Sequence, residues 1–539
     1  MTRHKKIVKN KKLTGSFYTP KIIADFLVNY LSVKMEGDKL TVLEPSSGDG
    51  VFIRSIYNHK TLPKKIKKVI AVEREEKELE KVKSITKSKT LKTVHSDFLE
   101  FQTINHQKFN LVIGNPPYIK KNILASDQVL HCEDIHKIFP ALSDNKIKNI
   151  WTAFLIRSIH YVSDNGILAF VLPSELLQVK FAAELRSLII EEFERVEIFT
   201  FNELLFKDCK GQDTLLLIGE RKATNKGVYY CNIDKLADLE KQNFTLSQNI
   251  NIKESKWTHH HLLTDEIELL EKVKKQLKTV NQYCTSKAGI VTGANDYFIV
   301  NAKTVQEYSL KNYVKEIIQK GSFVNGSVIL SQFDFENLVK QSKPAFLITL
   351  NKTSKFKTNE RINHYLEKGL VLKIHERYKA SIRDNWYEVP NVGMPPEAFF
   401  FKRCNEYPKL IKNNANVLST DSAYTINMKS DYDVENLIFS FYNSLTLSFA
   451  ELNGRYYGGG VLELTPNEFK YLPVPYLDVK VNDFNFFVKD FHNKTSIKDI
   501  CKKNDIIILK SIDNNLDLDS IDKIFNIREK LFLRRIKTN

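Results

Sequence analysis

A short apolar run that stops at two prolines constrains the fold of this chain more than any other feature. Residues 109–113 are mostly apolar and β-branched, as in a buried parallel strand, and Gly114 with the two following prolines must end the run abruptly. Proline has a fixed φ and no backbone N–H, so the Asn115 side chain and the Pro116 carbonyl are held rigidly after the strand. Because open α/β sheets bind ligands at the carboxyl ends of their strands, the sequence predicts a ligand site here.

The residues Asn115, Pro116, Pro117 and Tyr118 suit the methylation of an amino group that is conjugated to an aromatic ring. Such a nitrogen is a poor nucleophile until two acceptors draw its hydrogens toward tetrahedral geometry. The Asn115 side-chain oxygen and the Pro116 carbonyl are candidate acceptors, and the Tyr118 ring offers a face on which a base can stack. For the tetrapeptide alone, a turn that merely closes a core strand is the alternative.

A second strand, loop and helix precede this motif. Residues 40–44 read as a strand, residues 45–50 as a glycine-containing loop, and a helix is predicted from Val51. The loop lacks the third glycine of a dinucleotide site and carries Glu44 and Asp49. These carboxylates would repel a pyrophosphate but attract the ammonium and sulfonium groups of S-adenosylmethionine. A plain strand-to-helix turn is the alternative.

Two further acidic residues follow predicted strands. Glu73 ends the run 69–72, where a carboxylate can accept hydrogen bonds from both hydroxyls of a ribose. Asp97 and Phe98 are placed to hydrogen-bond and to stack on an adenine. Any one of these acids could be a surface residue, but four such segments in this order favour a cofactor site.

Together these segments resemble the gamma-class N6-adenine DNA methyltransferases of the TaqI type. The matching segments are GSFYTP (15–20), VLEPSSGDGVF (42–52), AVERE (71–75), HSDF (95–98), GNPPY (114–118) and, more weakly, residues 150–177. The resemblance implies an α/β, Rossmann-like class I S-adenosylmethionine-dependent methyltransferase domain. It also implies an α+β target-recognition domain after it, ending in helices.

The resemblance also implies roles for individual residues. Residues 115–118 would be the catalytic motif, and Tyr118 and Phe206 would stack on an adenine that is flipped out of the duplex. The implied contacts of S-adenosylmethionine are Thr19, Glu44, Ser47, Glu73, Asp97, Phe98, Pro117 and Phe154. The expected reaction is methyl transfer to N6 of adenine at a specific DNA sequence, as part of a restriction-modification system.

Local patterns add two structural expectations. Thr19 is predicted to cap a helix whose first residue is Pro20. Residues 119–149 are predicted to form an irregular, mobile loop over the DNA or the cofactor. A metal site on His131 and His136 is not expected, because methyl transfer from a sulfonium needs no metal.

The length and charge of the chain fit a two-domain DNA-binding enzyme. We expect a catalytic domain at residues 1–235 and a target-recognition domain at 236–539, since the composition changes near 225–250. The net charge is +17, and Lys and Arg outnumber Asp and Glu on both sides of residue 230, which fits a polyanion such as double-stranded DNA. Segments 288–298, 399–403 and 455–460 resemble target-recognition features, although each could be a structural turn or a core edge.

Further expectations concern the setting of the protein and the alternatives to DNA. The six cysteines include no CxxC pair, and no apolar run reaches membrane-spanning length. We therefore expect a cytoplasmic bacterial protein that binds no metal and acts as a monomer. Because no nuclease lobe is recognisable, we expect any restriction endonuclease to be a separate chain. A protein-glutamine or an RNA adenine methyltransferase could use the same motif. Glutamine-modifying enzymes are much shorter, however, and would leave the basic C-terminal region unexplained.

Overall fold

The computed structural model describes residues 18–143, 147–203, 205–206, 213–249, 256–324, 326–351, 359–457, 460–513 and 516–536. Two compact units are present. The first runs to His261, and the second begins at Leu262. In the described residues no helix is long and apolar enough to cross a membrane.

A nine-stranded sheet forms the centre of the first unit, in the order β3-β2-β1-β4-β5-β7-β6-β8-β9. The strands are β1 Leu40–Glu44, β2 Ile66–Glu73, β3 Leu91–His95, β4 Phe109–Gly114, β5 Val162–Pro173, β6 Arg195–Phe201, β7 Thr214–Glu220, β8 Gly227–Ile233 and β9 Ser247–Asn249. Strands β1 to β5 pair in parallel, and β7 runs antiparallel between β5 and β6. The expected Rossmann-like α/β domain is confirmed.

Helices make the sheet a buried layer. They are α1 Lys21–Ser32, α2 Val51–Asn58, α3 Leu62–Lys65, α4 Glu76–Lys83, α5 Ser126–His136, α6 Ile150–Tyr161, α7 Glu175–Gln178, α8 Ala183–Glu192 and α9 Leu236–Glu240. Trp151, Phe170 and Phe199 are completely buried in the shared core. Since the central strands are covered, they read as continuous apolar runs rather than as alternating ones.

The order of the strands reverses between β1 and β4. Val42 pairs with Leu111 and Leu43 with Val112 at this point, with β2 on the far side of β1 and β5 on the far side of β4. Connections leave in opposite directions from such a pair, which opens a crevice at the carboxyl ends of the two strands. The motif at residues 115–118 directly follows β4 and therefore borders this crevice.

Two local expectations in the first unit are wrong. Helix α1 begins at Lys21 with Pro20 in the N-cap position, and no side chain caps it. Thr19 is instead engaged in a long-range hydrogen bond described below. The segment 119–149 is not an irregular loop throughout, because residues 126–136 form the regular helix α5, whose Cys132, Ile135 and His136 are buried.

The second unit mixes short strands with many helices, as expected for an α+β domain. Its helices are α10 Thr264–Lys274, α11 Val280–Tyr283, α12 Asn295–Phe298, α13 Ala302–Glu307, α14 Gln332–Lys340, α15 Glu360–Val371, α16 Tyr378–Ser381, α17 Val434–Phe441, α18 Ser444–Asn453, α19 Pro466–Lys470, α20 Val481–His492, α21 Ile497–Ile512 and α22 Leu518–Arg535. The last three are the predicted C-terminal helices.

The strands of the second unit form several small sheets. They are β10 Lys278–Thr279, β11 Cys284–Ala288, β12 Ile299–Val300, β13 Val314–Ile318, β14 Ile329–Leu330, β15 Phe346–Ile348, β16 Ala398–Phe401, β17 Arg403–Cys404, β18 Lys409–Asn413, β19 Leu418–Ser419, β20 Ala423–Met428, β21 Arg455–Tyr457, β22 Val461–Glu463 and β23 Pro473–Val474. The largest has the order β11-β20-β16-β18-β14. Phe399, Phe400 and Phe401 are buried in its central strand, so the structure supports the core interpretation of that segment.

The division of the chain at residues 235 and 236 stays a prediction as a functional boundary. Structurally, the first unit continues beyond it to His261. Strand β9 explains the continuation, because it pairs antiparallel with β8 and completes the edge of the first sheet.

Candidate active site

A cavity lies at the carboxyl ends of the parallel strands of the first unit. The structure brings all eight predicted cofactor contacts to its wall: Thr19, Glu44, Ser47, Glu73, Asp97, Phe98, Pro117 and Phe154. Asn115 lines the same cavity. Pro116, Tyr118 and Phe206 do not line it.

The most deeply buried acid of the cavity is Glu44, at the end of β1. Its exposed fraction is 1%, and burial, reinforced by the charges of Glu73 and Asp49, raises the pKa of its carboxyl well above the ordinary value. Among the described residues, neither Glu44 Oε2 nor the Ser47 hydroxyl has a hydrogen-bond partner. An unsatisfied buried polar atom costs about 1–3 kcal/mol. These atoms therefore fit a ligand that brings positive charge and hydrogen-bond donors, as S-adenosylmethionine does.

Glu73 shapes the glycine loop as well as facing the cavity. Its carboxylate accepts hydrogen bonds from the backbone N–H groups of Gly48, at 2.8 Å, and of Glu75, at 2.9 Å. Gly50 has a φ of +78°, a left-handed conformation that glycine adopts without the strain that other residues would have. The sequence predicts Glu73 at the site, but a local sequence pattern does not predict its hydrogen bonds to the backbone of Gly48 and Glu75.

The end of β3 supplies a polar and an aromatic wall. Asp97 Oδ1 accepts from the backbone N–H of Leu99 at 2.9 Å, and Asp97 Oδ2 accepts from Gln128 Nε2 at 3.0 Å. The Phe98 ring packs against Phe154 with a centroid separation of 5.1 Å. Gln128, on α5, also lines the cavity, and sequence reasoning missed it.

The Asn115 side chain is fixed at both ends of its amide. Asn115 Nδ2 donates to Thr19 Oγ1 at 3.2 Å, and Asn115 Oδ1 accepts from the Tyr118 hydroxyl at 2.8 Å. The Ser46 hydroxyl donates to the Asn115 backbone carbonyl at 3.1 Å. Both partners are hydroxyl groups, which can donate or accept, so they hold the Asn115 amide in place at the wall of the cavity. In the arrangement described, the amide oxygen lies next to Tyr118 and the amide nitrogen next to Thr19.

The two predicted stacking residues are largely buried. Tyr118 is 9% exposed and Phe206 is 6% exposed. Burial raises the pKa of the Tyr118 hydroxyl well above its ordinary value, so the hydroxyl stays protonated and can donate. It also lies 3.0 Å from the carbonyl of Val171 on β5. The structure therefore gives Tyr118 a contact with Asn115 in addition to its predicted stacking role.

Comparisons with known proteins agree with this architecture. The family model "Eco57I restriction-modification methylase" matches residues 28–206, and "Type II methyltransferase M.Eco57I, C-terminal domain" matches residues 254–509. The type II methyltransferase M.AccI of Acinetobacter calcoaceticus is 27% identical over 96% of this chain and 94% of its own length. The type II methyltransferase M.CvrRI of Paramecium bursaria Chlorella virus XZ-6E is 30% identical over 36% of this chain and 45% of its own.

Among solved structures, the chain is similar in fold to DrdV in a DrdV–DNA complex. The TM-score is 0.50 at 12% identity, over 89% of this chain and 57% of the other. An identity this low bears on the fold alone.

Proposed function

Since this chain belongs to the gamma class of type II methyltransferases, we propose that it transfers a methyl group from S-adenosylmethionine to N6 of a specific adenine in duplex DNA. It would do so within a restriction-modification system, the setting that the names of its relatives give for them. The observation that carries the proposal is the Asn115 amide, which hydrogen-bonds to Thr19 and Tyr118 at the wall of a cavity lined by every predicted cofactor contact.

Asn115 and Pro116 would prepare the amine of the target base. The Asn115 oxygen has two lone pairs, so it can accept from an amine hydrogen while it still accepts from the Tyr118 hydroxyl. The Pro116 carbonyl would accept the second hydrogen, which draws the nitrogen out of conjugation with the ring. When bound, S-adenosylmethionine supplies the methyl group as an electrophile. No covalent bond between the protein and the base is needed.

The target adenine must leave the duplex, because N6 is otherwise inaccessible to these acceptors. Tyr118 and Phe206 are proposed to stack on the extruded base. Since both rings are largely buried in the free protein, one or both must become more exposed when the base enters.

The wall of the cavity would hold the cofactor through complementary chemistry. The carboxylates of Glu44 and Asp49 would offset the positive charge of the ligand, and Glu73 would accept from the ribose hydroxyls. Asp97 would hydrogen-bond to the adenine, and Phe98 would stack on it. Ser47, whose hydroxyl lacks a partner among the described residues, would complete the polar contacts.

The net charge of +17 supports a polyanionic substrate. We further propose that the protein acts as a cytoplasmic monomer on double-stranded DNA, and that any restriction endonuclease is a separate chain.

Sequencing of DNA from cells that express the full chain tests the proposed function. In a host without adenine methylation, we expect N6-methyladenine at one fixed sequence motif, detected by single-molecule sequencing. Cells with the empty vector are the control. DNA without methyladenine, together with N-methylated glutamine in cellular protein, would instead support the glutamine-modifying alternative.

The raised pKa of Glu44 predicts that cofactor binding is linked to pH. In the free protein burial favours the protonated carboxyl, whereas a bound cation favours the carboxylate, so binding should release a proton. Affinity should therefore weaken as the pH falls below the raised pKa and strengthen as the pH rises toward it. Calorimetry in buffers of different ionisation enthalpy measures the released proton. Glu44→Gln should lack this proton release, and an enthalpy equal in all buffers for the unmodified protein would contradict the prediction.

A further inference from the structure

Helix α5 is held beside the catalytic turn by the two ends of the loop that contains it. The backbone N–H of Ile150 donates to the Ile119 carbonyl at 2.9 Å, and that of Lys121 donates to the Lys148 carbonyl at 3.0 Å. Ile119 directly follows Tyr118, so the first end of the loop is continuous with the predicted catalytic motif. Lys121 and Lys148 are therefore neighbours at the edge of the cavity that Ile119 and Ile150 both line.

The inward face of α5 is fixed on α6. Cys132, Ile135 and His136 are buried on this face, and His136 Nε2 lies 3.1 Å from the Thr152 hydroxyl of α6. Gln128, one turn before Cys132, lies on the same face because residues four apart share a face of a helix. Helix α6 also carries Phe154, which lines the cavity. The packing of α5 on α6 therefore sets the position of Gln128 at the cavity.

Gln128 contacts the cavity at the carboxylate of Asp97. Its Nε2 donates to Asp97 Oδ2 at 3.0 Å, while Asp97 Oδ1 accepts from the backbone N–H of Leu99. With the amide nitrogen of Gln128 turned to the carboxylate, the amide oxygen is left as an acceptor. Next to Asp97 there are thus two kinds of acceptor, a carboxylate and a neutral amide oxygen.

From this arrangement we propose that Gln128 is a specificity-determining residue for the purine of the cofactor, an inference that rests on the proposed function. A 6-aminopurine has two N–H groups on its exocyclic nitrogen, and Asp97 can accept one while Gln128 accepts the other. A 6-oxopurine has an oxygen in that place, which cannot form a hydrogen bond with the Asp97 carboxylate or with the Gln128 oxygen, since all three are acceptors. Gln128 therefore contributes to the preference for adenine over hypoxanthine.

Binding of two cofactor products that differ only at this position tests the proposal without any catalytic turnover. The full chain is titrated by calorimetry with S-adenosylhomocysteine and with S-inosylhomocysteine. For Gln128→Ala we expect the affinity for the adenosyl compound to fall about tenfold, the size of one lost hydrogen bond. The affinity for the inosyl compound should change by less than about twofold, since its purine oxygen cannot bond to the Gln128 oxygen.

Matched variants separate recognition from packing. Leu130→Ala, on the exposed side of the same helix at 62% exposure, should leave both affinities unchanged. Gln128→Met keeps the length of the side chain without its amide, and should reproduce the selective loss. An equal loss for both compounds, or no loss for either, would overturn the proposal. Failure of the unmodified protein to bind S-adenosylhomocysteine would refute the proposed function and this inference with it.

Discussion

Asn115→Ala should reduce methyl transfer at least a hundredfold while cofactor affinity stays within about threefold of that of the unmodified protein. The substitution removes the side-chain amide that hydrogen-bonds to Thr19 and Tyr118 and that is proposed to accept from the target amine. Preorganised acceptors of this kind stabilise a transition state by about 3 kcal/mol or more, which corresponds to a factor of a hundred or more in rate. Single-turnover transfer of labelled methyl groups to DNA, at saturating cofactor, measures the effect on the chemical step.

The matched control is Asn29→Ala, the same change at an exposed position of α1. This variant should methylate DNA at the rate of the unmodified protein. If Asn115→Ala retained near-normal turnover, the catalytic assignment of residues 115–118 would be wrong. If it lost cofactor binding as well, Asn115 would have to be reassigned to the cofactor site, whose wall it shares.

The strands that carry the site could be predicted from the sequence because their signals are local. The strand predicted at 40–44 matches β1, and the one at 109–113 differs from β4 by one residue. Both are apolar runs that end at glycine or proline, so the hydrophobic pattern and the residues that stop a strand indicate the same boundaries. Once four such strands were recognised, the rule that ligands bind at carboxyl ends placed the acids on one wall.

Contacts between distant parts of the chain could not be predicted in the same way. Thr19 and Asn115 are 96 residues apart in sequence, and a threonine before a proline reads locally as a helix cap. In the structure its hydroxyl instead accepts a hydrogen bond from the Asn115 side-chain amide. The hydrogen bond from Tyr118 to Asn115 could not be predicted from the sequence either. An aromatic residue in such a motif indicates stacking rather than hydrogen bonding.

The sequence pattern does not predict helix α5, because the inward face of this helix is weakly apolar. Cys132, Ile135 and His136 are the buried positions, and only Ile135 is a strongly hydrophobic residue. A helix with so small an apolar stripe resembles a polar loop in a hydrophobicity pattern. Its register is set by tertiary contacts such as that of His136 with Thr152, which the sequence does not display.

The first unit offers a natural end point for separating cofactor binding from DNA recognition. A protein truncated after residue 235 would lack β9, which pairs with β8 at the edge of the sheet. The buried core of this unit extends from Ile23 to Trp257. A protein truncated after His261 therefore keeps the sheet and the core complete.

The protein truncated after His261 should bind S-adenosylmethionine with the affinity of the full chain but lose sequence-specific DNA binding by about a thousandfold or more. The residues that line the cavity all lie between Tyr18 and Phe154, so the cofactor site is retained. Specific DNA binding typically exceeds non-specific binding by about 10³ to 10⁷, and the proposed target-recognition residues lie in the part removed. Calorimetry measures the affinity for the cofactor. Fluorescence anisotropy measures the affinity for an unmethylated duplex that contains the target motif identified by sequencing.

Salt dependence in the full chain distinguishes DNA recognition from a protein substrate. Each phosphate neutralised by Lys or Arg contributes about −0.9 to the slope of log affinity against log salt concentration, so a duplex-binding surface should give a steep slope.

The truncated protein should show weak binding that does not differ between the motif duplex and a scrambled one. Equal sequence-specific affinity in the truncated protein and the full chain would place recognition in the first unit. Cofactor binding without any DNA affinity in the full chain would refute the DNA substrate and favour the glutamine-modifying alternative.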